Sequence, residues 1–302
     1  MANSTSSLPL PTESVVLSPA SQREARLRKF LFKASLFVTA LLLAFSFGFP
    51  LYFMVTSSFK AEEEVLATPI HWLPHNFQGL RQYERAFEYQ PVGRFFFNSM
   101  MVAVINVVVT VFFSALAGYG FAKFNFRFKQ FFFLFVLSTI MVPGQIIVIP
   151  LYVQMRMLGW ADSYLGLIVP GIMNAFGVFM MRQFAFSIPD ELLDSGRIDG
   201  ANELVIFLRI AFPLLAPAAA SLAIIIFLFS WNNFLWPLII VQSPELYTLP
   251  VGMQAFALPY QARPLWAAAM AVSTLATLPV AIIVLFFQRY FVQGMVLSGL
   301  KG

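Results

Sequence analysis

Residues 187–213 read SIPDELLDSGRIDGANELVIFLRIAFP and combine charge with helix punctuation between strongly apolar segments. Pro189 suits the first turn of a helix, because its missing N–H would have no partner there. Asp190 follows at a position where the helix dipole favours a carboxylate. Gly200 can adopt the left-handed conformation that ends many helices, and Asn202 can cap a second helix. The stretch therefore predicts a helix–glycine–helix unit that stands outside the lipid.

The composition places the chain among membrane proteins. Of its 302 residues 59% are hydrophobic and 11% are charged, and its mean hydropathy is +0.78, whereas a soluble domain carries about 25% charged residues. The absence of cysteine excludes disulfides and thiolate metal sites. We attribute the net charge of +5 to Lys and Arg held at the cytoplasmic face of a membrane, and not to nucleic-acid binding.

Long apolar runs predict an all-α polytopic fold with six transmembrane helices. They lie at about residues 34–55, 95–121, 131–153, 164–184, 210–234 and 265–287. Residues 1–29 predict a disordered cytoplasmic tail, because the segment begins rich in Ser, Thr and Pro, and residues 30–302 form the transmembrane domain. The first run is too long for a signal-peptide core, so an uncleaved span is expected. Pro143 and Pro150 predict kinks in the third span.

The distribution of basic residues predicts the orientation. With six spans both termini lie on one side, and most of the 19 Lys and Arg residues fall in the segments on that side. This excess predicts cytoplasmic termini. The 187–213 stretch then lies in the cytoplasm, and residues 56–94 and 236–264 form external segments.

Two polar clusters in the first external segment do not predict a site. The Glu62–Glu64 run is typical of a solvated face. His71 and His75 are separated by Pro74, which disfavours a metal site. The chain also lacks a glycine-rich phosphate loop with a following Lys, so it is not expected to bind ATP itself.

Two stretches carry a resemblance to a known family. Asp194-Ser195-Gly196 is followed by Gly200, Ile210 and Phe212-Pro213, and residues 230–237 read SWNNFLWP. They resemble the integral-membrane subunits of ATP-binding-cassette importers, in the carbohydrate-uptake branch typified by the maltose-type permeases. That family's cytoplasmic signature runs Glu-Ala-Ala, three residues, Gly, nine residues, Ile, one residue, Leu-Pro, and Asp194 keeps the charge of its Glu on a shorter side chain. The resemblance covers about residues 30–302. Four further stretches are similar to landmarks of the family: Ser57-Ser58-Phe59-Lys60, Asn98-Ser99, Met141-Val142-Pro143 and Gly299-Leu300-Lys301-Gly302.

The resemblance implies a non-catalytic permease subunit of a bacterial inner or plasma membrane, with residues 187–209 as a coupling-helix pair that docks on a cytoplasmic ATPase. The implied partners are a homologous second permease subunit, an ATPase dimer that binds the ATP, and an extracytoplasmic substrate-binding protein, with no cofactor on this chain. The residues implied to couple to the ATPase are Asp194, Ser195, Gly196, Asp199, Gly200, Ala201, Ile210 and Pro213.

Apolar side chains on the 187–213 stretch support a protein contact independently of the resemblance. Leu192, Leu193, Ile198, Leu204, Val205 and Phe207 are expected to leave apolar surface outside the lipid. The alternative is a helix that lies on lipid headgroups.

Polar side chains inside the predicted spans are the candidates for a substrate pathway. They are all amides, at Asn106, Gln145, Asn174, Asn232 and Asn233. Of these, Asn174, Asn232 and Asn233 are the pathway candidates, and hydrogen bonds between neighbouring helices are the alternative. No charged residue lies well inside a span, which argues against a proton relay.

Two classes of function remain open. The first is an energised permease subunit for a carbohydrate, a related polyol or a sugar phosphate. The second is a self-contained six-span channel or secondary carrier, which often shows internal repeats or midplane charges that this chain lacks. A membrane enzyme is a weaker third class, because the acidic residues are scattered among loops.

Overall fold

A computed structural model of the protein describes residues 19–258 and 264–299, and within these ranges the regular structure is entirely helical. This confirms the predicted all-α fold. The chain divides into two compact units, Met1–Phe53 and Met54–Gly302. Residues 1–18 of the predicted tail and residues 300–302 of the C-terminal landmark lie outside the described residues.

The N-terminal helix is longer than the sequence predicts. Helix α1 spans Pro19–Ser57, so residues 19–29, which were expected to be disordered, are helical. Pro19 suits the first position of a helix, and the Ala, Arg, Leu and Lys residues that follow all have high helix propensity. Within α1, Leu27–Ser57 is long and apolar enough to cross a membrane.

The described residues contain three helices that are long and apolar enough to cross a membrane. Three further pairs of helices are each bent at a short break, and the count rises to six spans if each pair crosses once. The unbroken ones after α1 are α4, Val92–Lys123, and the C-terminal helix Trp266–Gly299, whose span is Trp266–Phe286. Two short helices, α2, Glu62–Val65, and α3, Arg81–Tyr89, precede α4. The predicted number of spans therefore agrees with this upper count.

The third span is broken where a proline was expected to bend it. Helices α5, Lys129–Ile140, and α6, Gly144–Met157, meet at an angle of 100°. Pro143 occupies the N-cap of α6, whereas Pro150 lies inside α6 without a break. Only the first of the two prolines therefore marks the bend.

The fourth span also contains a break, which was not predicted from the sequence. Helices α7, Tyr164–Ile172, and α8, Ala175–Ala185, are bent by 41°. The Thr110 hydroxyl donates to the Ile172 carbonyl at 3.0 Å, and the Asn174 side chain accepts from Gly177 N–H at 2.8 Å. These bonds satisfy backbone groups that the break frees, as a discontinuous membrane helix requires.

The fifth span, predicted as one helix over 210–234, is a bent pair of helices that ends at Trp231. After α9, Asp190–Ile198, the chain forms an arm at Glu203–Leu214 that meets α12, Ala216–Trp231, at 78°. The arm consists of α10, Glu203–Ile206, a π-helical turn at Phe207–Ala211 and α11, Phe212–Leu214. Pro213 and Pro217 explain the break, because each lacks the N–H that would continue the helical hydrogen bonds.

Residues 235–257 are folded mostly into short helices that lead to the last span. They are α13, Leu235–Ile240, a 3-10 turn at Pro244–Leu246, α14, Leu249–Gly252, α15, Gln254–Ala257, and then α16, Trp266–Gly299.

Glu62 accepts from the Ala267 and Ala268 N–H groups at 2.8 and 3.3 Å, so it caps α16. Glu64 accepts from His75 N–H at 2.6 Å. The Glu62–Glu64 run is therefore more than a solvated face.

Small residues allow α4 and α8 to pack closely at the centre of the second unit. An ideal Cβ on Gly118 would lie 2.6 Å from Arg182 N and 2.7 Å from Met181 Cβ, and one on Gly177 would lie 2.4 Å from Ser114 Oγ. Ser114 and Gly118 are four residues apart on α4, the small-xxx-small spacing that brings membrane helices together. This crossing supports a buried cluster that includes Tyr119, Met181, Leu193, Ile206 and Phe207.

Candidate functional site

The 187–213 stretch begins with helix α9, whose first turn contains the predicted carboxylates but not Pro189. Pro189 occupies the N-cap with φ −61° and ψ 134°, one position before the first helical residue, and Asp190 and Glu191 lie in the first turn. Lys123, at the end of α4, donates to the Ile188 carbonyl at 2.6 Å and pairs with Asp190 at 2.7 Å. The Lys123 side chain is only 8% exposed, so it ties the start of α9 to the second span.

Gly200 ends α9 in the left-handed conformation, with a φ of +80°. Gly200 N–H donates to the Arg197 carbonyl and Ala201 N–H to the Gly196 carbonyl, both at 3.0 Å. This pair of bonds is the Schellman arrangement that satisfies carbonyls at a helix end. The predicted glycine turn is therefore present.

Asn202 begins the second helix of the unit. Its side-chain oxygen accepts from Val205 N–H at 2.9 Å, so it is the N-cap of α10, as the sequence predicts. The helix continues beyond 209, the expected end of the coupling pair, and reaches Leu214 through the π-helical turn.

The two arms of the unit pack against each other through a close approach at Gly196. This residue is buried, and an ideal Cβ on it would lie 2.9 Å from Ile210 Cδ1 and 3.2 Å from Ile206 Cγ1. Gly196, the third residue of the signature's first triplet, therefore lies against Ile210, the Ile of the same signature. Asp194, Ser195, Asp199 and Pro213 are exposed, and Ala201 and Ile210 are half-buried.

The apolar side chains of the unit divide into two groups. Ile198 is 86% exposed and Leu204 56% exposed, with Leu192 at 44%. Leu193 and Phe207 are buried at 1% exposure, so the expectation that they leave apolar surface is wrong. They face the cluster beside α4 and α8, where Phe207 and Tyr119 have ring centroids 5.4 Å apart.

A charge cluster that was not predicted from the sequence crosses the Gly200 turn. Arg197 donates to Asp194 Oδ1 at 2.6 Å, and through Nε and Nη2 to the two carboxylate oxygens of Glu203 at 2.7 and 3.3 Å. Its hydrogen bonds to Glu203 and Asp194 raise the pKa of Arg197 above its ordinary value. The i, i+3 spacing of Asp194 and Arg197 is the sequence signal that could have indicated the first of these pairs.

The predicted amides occupy different settings. Asn174 caps α8, and Asn232 follows α12, where its side-chain N–H donates to the Leu228 carbonyl at 2.8 Å. Asn232 also lines a groove of about 450 Å³ together with Trp231, Ser273 and Thr277. Asn233 is half-buried, and Gln145 is exposed. No described contact brings Asn174 together with the Asn232–Asn233 pair.

Asn106 is the most deeply buried of the five amides predicted inside the spans. It is 7% exposed, and its Nδ2 donates to Ser230 Oγ at 3.1 Å, which joins α4 to α12. Its Oδ1 is buried without a hydrogen-bond partner among the described residues. The bond to Ser230 is the interhelical role expected of such amides.

Within the described ranges no group of three or more His, Asp and Glu residues could hold a metal ion. His71 and His75 are neighbours, with ring centroids 4.1 Å apart. Glu64 lies 3.6 Å from His71. Burial alone would raise the pKa of Glu64, but the backbone hydrogen bonds from His75 and Asn76 and the two nearby His side chains together outweigh it and lower the pKa. These contacts stabilise the loop between α2 and α3.

Comparisons with known proteins agree with this architecture. Residues 111–297 match the family described as the binding-protein-dependent transport system inner membrane component. A crystal structure of a bacterial ABC transporter that imports the acidic polysaccharide alginate contains a chain of the same fold, with a TM-score of 0.77, 22% identity, and coverage of 89% of this chain and 98% of that one.

Curated relatives of similar length carry the word permease in their names. The arabinooligosaccharides transport permease AraQ of Bacillus subtilis is 36% identical over 273 residues, which cover 90% of this chain and 96% of AraQ. The lactose transport permease LacG of Rhizobium radiobacter is 32% identical, over 84% of this chain and 91% of LacG. The sn-glycerol-3-phosphate transport permease UgpE of Pectobacterium atrosepticum is 32% identical, over 82% and 90%. The chain therefore belongs to the binding-protein-dependent transport system inner membrane components, the non-catalytic permease subunits of ABC transporters, as its signature spacing predicted.

Proposed function

We propose that this chain is one of two permease subunits of an ATP-driven importer for a carbohydrate or related polyol, and that residues 187–213 couple ATPase closure to alternating access. The substrate class follows the names of the relatives, which include an oligosaccharide, a disaccharide and a glycerol phosphate system. The chain itself binds no ATP. The partners are a homologous permease, a cytoplasmic ATPase dimer and an extracytoplasmic binding protein, and both termini lie in the cytoplasm of a bacterial inner or plasma membrane.

The observation that carries this proposal is the exposed apolar surface on a helix pair that is otherwise anchored to the transmembrane body. Ile198 and Leu204 are exposed on either side of the Gly200 turn, while Leu193 and Phe207 of the same unit are buried. Apolar surface of this kind on an element outside the lipid marks a protein contact. Because Lys123 ties α9 to α4, a displacement of the docked unit would be passed to the second span.

The groove beside Asn232 is the proposed part of the substrate pathway. Its lining combines the Trp231 ring and the hydroxyls of Ser273 and Thr277 with the Asn232 amide. Aromatic faces with a few polar groups suit a sugar, whose ring has apolar faces and hydroxyl edges. Exchange of both Asn232 and Asn233 for Ala should change the dependence of uptake on substrate; an unchanged dependence would remove the pair from the pathway.

Copurification of the ATPase tests the coupling role. The experiment isolates the tagged chain with its partners and compares wild type with Ile198→Glu, which introduces a charge into the proposed contact. Leu66→Glu is the matched control, because Leu66 is 65% exposed on the external segment. We expect Ile198→Glu to lose most of the bound ATPase and Leu66→Glu to retain it. If both variants retain the ATPase, or if the purified chain alone transports solute in vesicles, the proposal is wrong and a self-contained carrier takes its place.

A further inference from the structure

The side chain of Arg197 forms ion pairs on both sides of the Gly200 turn, in addition to the packing at Gly196. Arg197 lies in the last turn of α9 and reaches both Asp194, one turn back, and Glu203, in the first turn of α10. Its N–H groups form two bonds to the Glu203 carboxylate, at 2.7 and 3.3 Å, and one to Asp194 at 2.6 Å. A two-bond contact between guanidinium and carboxylate fixes direction as well as distance.

The backbone of the same residue takes part in the turn. The Arg197 carbonyl accepts from Gly200 N–H at 3.0 Å, and the Asn202 side chain caps the helix that Glu203 begins. The turn is thus held by a backbone bond and by charged side-chain bonds that share one residue. Because the partners are 39% to 60% exposed, the ion pairs add little to global stability. Their effect falls on the relative orientation of α9 and α10.

We propose that Arg197 is a positioning residue for ATPase coupling, which keeps α9 and the Glu203–Leu214 arm at a fixed angle so that they move as one body. This inference rests on the proposed coupling role of the 187–213 stretch. It also assigns a role to Asp194, which stands at the Glu position of the signature: its carboxylate binds Arg197 within the chain. Asp and Arg at i, i+3 spacing are neighbours on a helix surface, so the contact is local to α9.

A charge exchange within the assembled importer tests this assignment. The variants are Arg197→Gln, Arg197→Glu, Glu203→Arg and the double exchange Arg197→Glu with Glu203→Arg, and the measured quantity is solute transported per ATP hydrolysed in vesicles. Arg209→Gln is the matched control, because Arg209 is an exposed arginine on the π-helical turn of the same arm. We expect Arg197→Gln to reduce transport per ATP about fivefold or more, with the ATPase still bound. The control should stay near wild type, and the double exchange should recover at least half of the loss that each single reversal causes.

Two results would overturn the assignment. One is wild-type coupling in Arg197→Gln. The other is a loss of ATPase binding or coupling in Arg197→Glu that the double exchange does not recover, since Arg197 would then act through the ATPase and not through Glu203.

A second measurement does not depend on the ATPase, so it separates this inference from the proposed function. The chain has no cysteine, and spin labels can be placed on Glu191→Cys in α9 and Leu208→Cys in the arm, both of which are exposed. In the full-length chain we expect a narrow distribution of label distances that broadens with Arg197→Gln and narrows again with the double exchange. A distribution of unchanged width would refute the positioning role even if the ATPase binds normally.

Discussion

Replacement of Gly200 isolates the contribution of one backbone conformation to the proposed coupling with the ATPase. Its φ of +80° lies in the left-handed region, and an ideal Cβ on it meets nothing within 4 Å. A side chain at this position therefore has room, and the cost of substitution comes from the backbone alone. For an L-residue that cost is about 1–2 kcal/mol, and a β-branched side chain such as Val lies at the upper end because it is a rare occupant of this region.

A penalty of this size reduces the population of the intact turn by a factor of about 5–30 relative to alternatives. The two Schellman bonds, from Gly200 to Arg197 and from Ala201 to Gly196, would be lost together when the turn opens. We expect Gly200→Val to insert and assemble normally but to hydrolyse ATP with little uptake. Gly200→Asn should lie near wild type, because Asn tolerates the left-handed region, and Gly200→Ala should lie between them.

The assay measures uptake and ATP hydrolysis in the same vesicle preparation. Gly120→Val is the control, because Gly120 lies within α4, has no neighbour within 4 Å of an ideal Cβ and does not have a positive φ. Val in a helix interior costs no more than Gly, so this variant should couple normally. Coupled transport by Gly200→Val, or an order among Asn, Ala and Val that does not follow their left-handed preferences, would refute the reasoning.

Three further outcomes are expected. Gly118→Ala should lower the thermal unfolding midpoint, because the added Cβ would lie 2.6 Å from Arg182 N. Overpacking of this kind lowers the free energy of unfolding by about 1–3 kcal/mol. An unchanged midpoint would contradict the close α4–α8 crossing. Tyr119→Phe should be neutral or stabilising in the same assay, since the hydroxyl is buried without a described partner, and a clear loss of stability would mean that the hydroxyl is bonded. Asp162 accepts hydrogen bonds from the Ser243 side chain and from the Ser243 and Gln242 N–H groups, which hold its pKa below its ordinary value of 3.8. Its contribution to stability is therefore full at neutral pH and is lost as pH falls below about 4. The difference in thermal midpoint between wild type and Asp162→Asn should be present at pH 7 and should disappear on acidification. A difference that persists at low pH would contradict this explanation.

Features that depend on close neighbours in the chain were predictable from the sequence. The N-cap of Asn202, the left-handed turn of Gly200 and the apolar character of the spans all depend on residues within about one helical turn or one continuous run. The spacing of the signature led to the correct family. Pro143 marked the break in the third span, because loss of an N–H acts on the helix that contains it.

Features that depend on distant residues were not predictable in this way. The break between α7 and α8 is supported by Thr110, which lies 62 residues before Ile172 in the chain. Lys123 and Asp190 are 67 residues apart. Leu193 and Phe207 look like exposed residues of a cytoplasmic helix, yet both are buried against α4 and α8. Burial and hydrogen bonding of this kind depend on which helices become neighbours.

The sequence by itself determined the class of membrane protein, the helix–glycine–helix unit and the family, because hydropathy, caps and motif spacing are local properties of the chain. Only the tertiary structure decided which face of that unit is free, how it is tied to the second span and that Arg197 bridges its two helices. The physical reason is that these contacts join atoms whose proximity arises from helix packing and from the direction of a single left-handed turn.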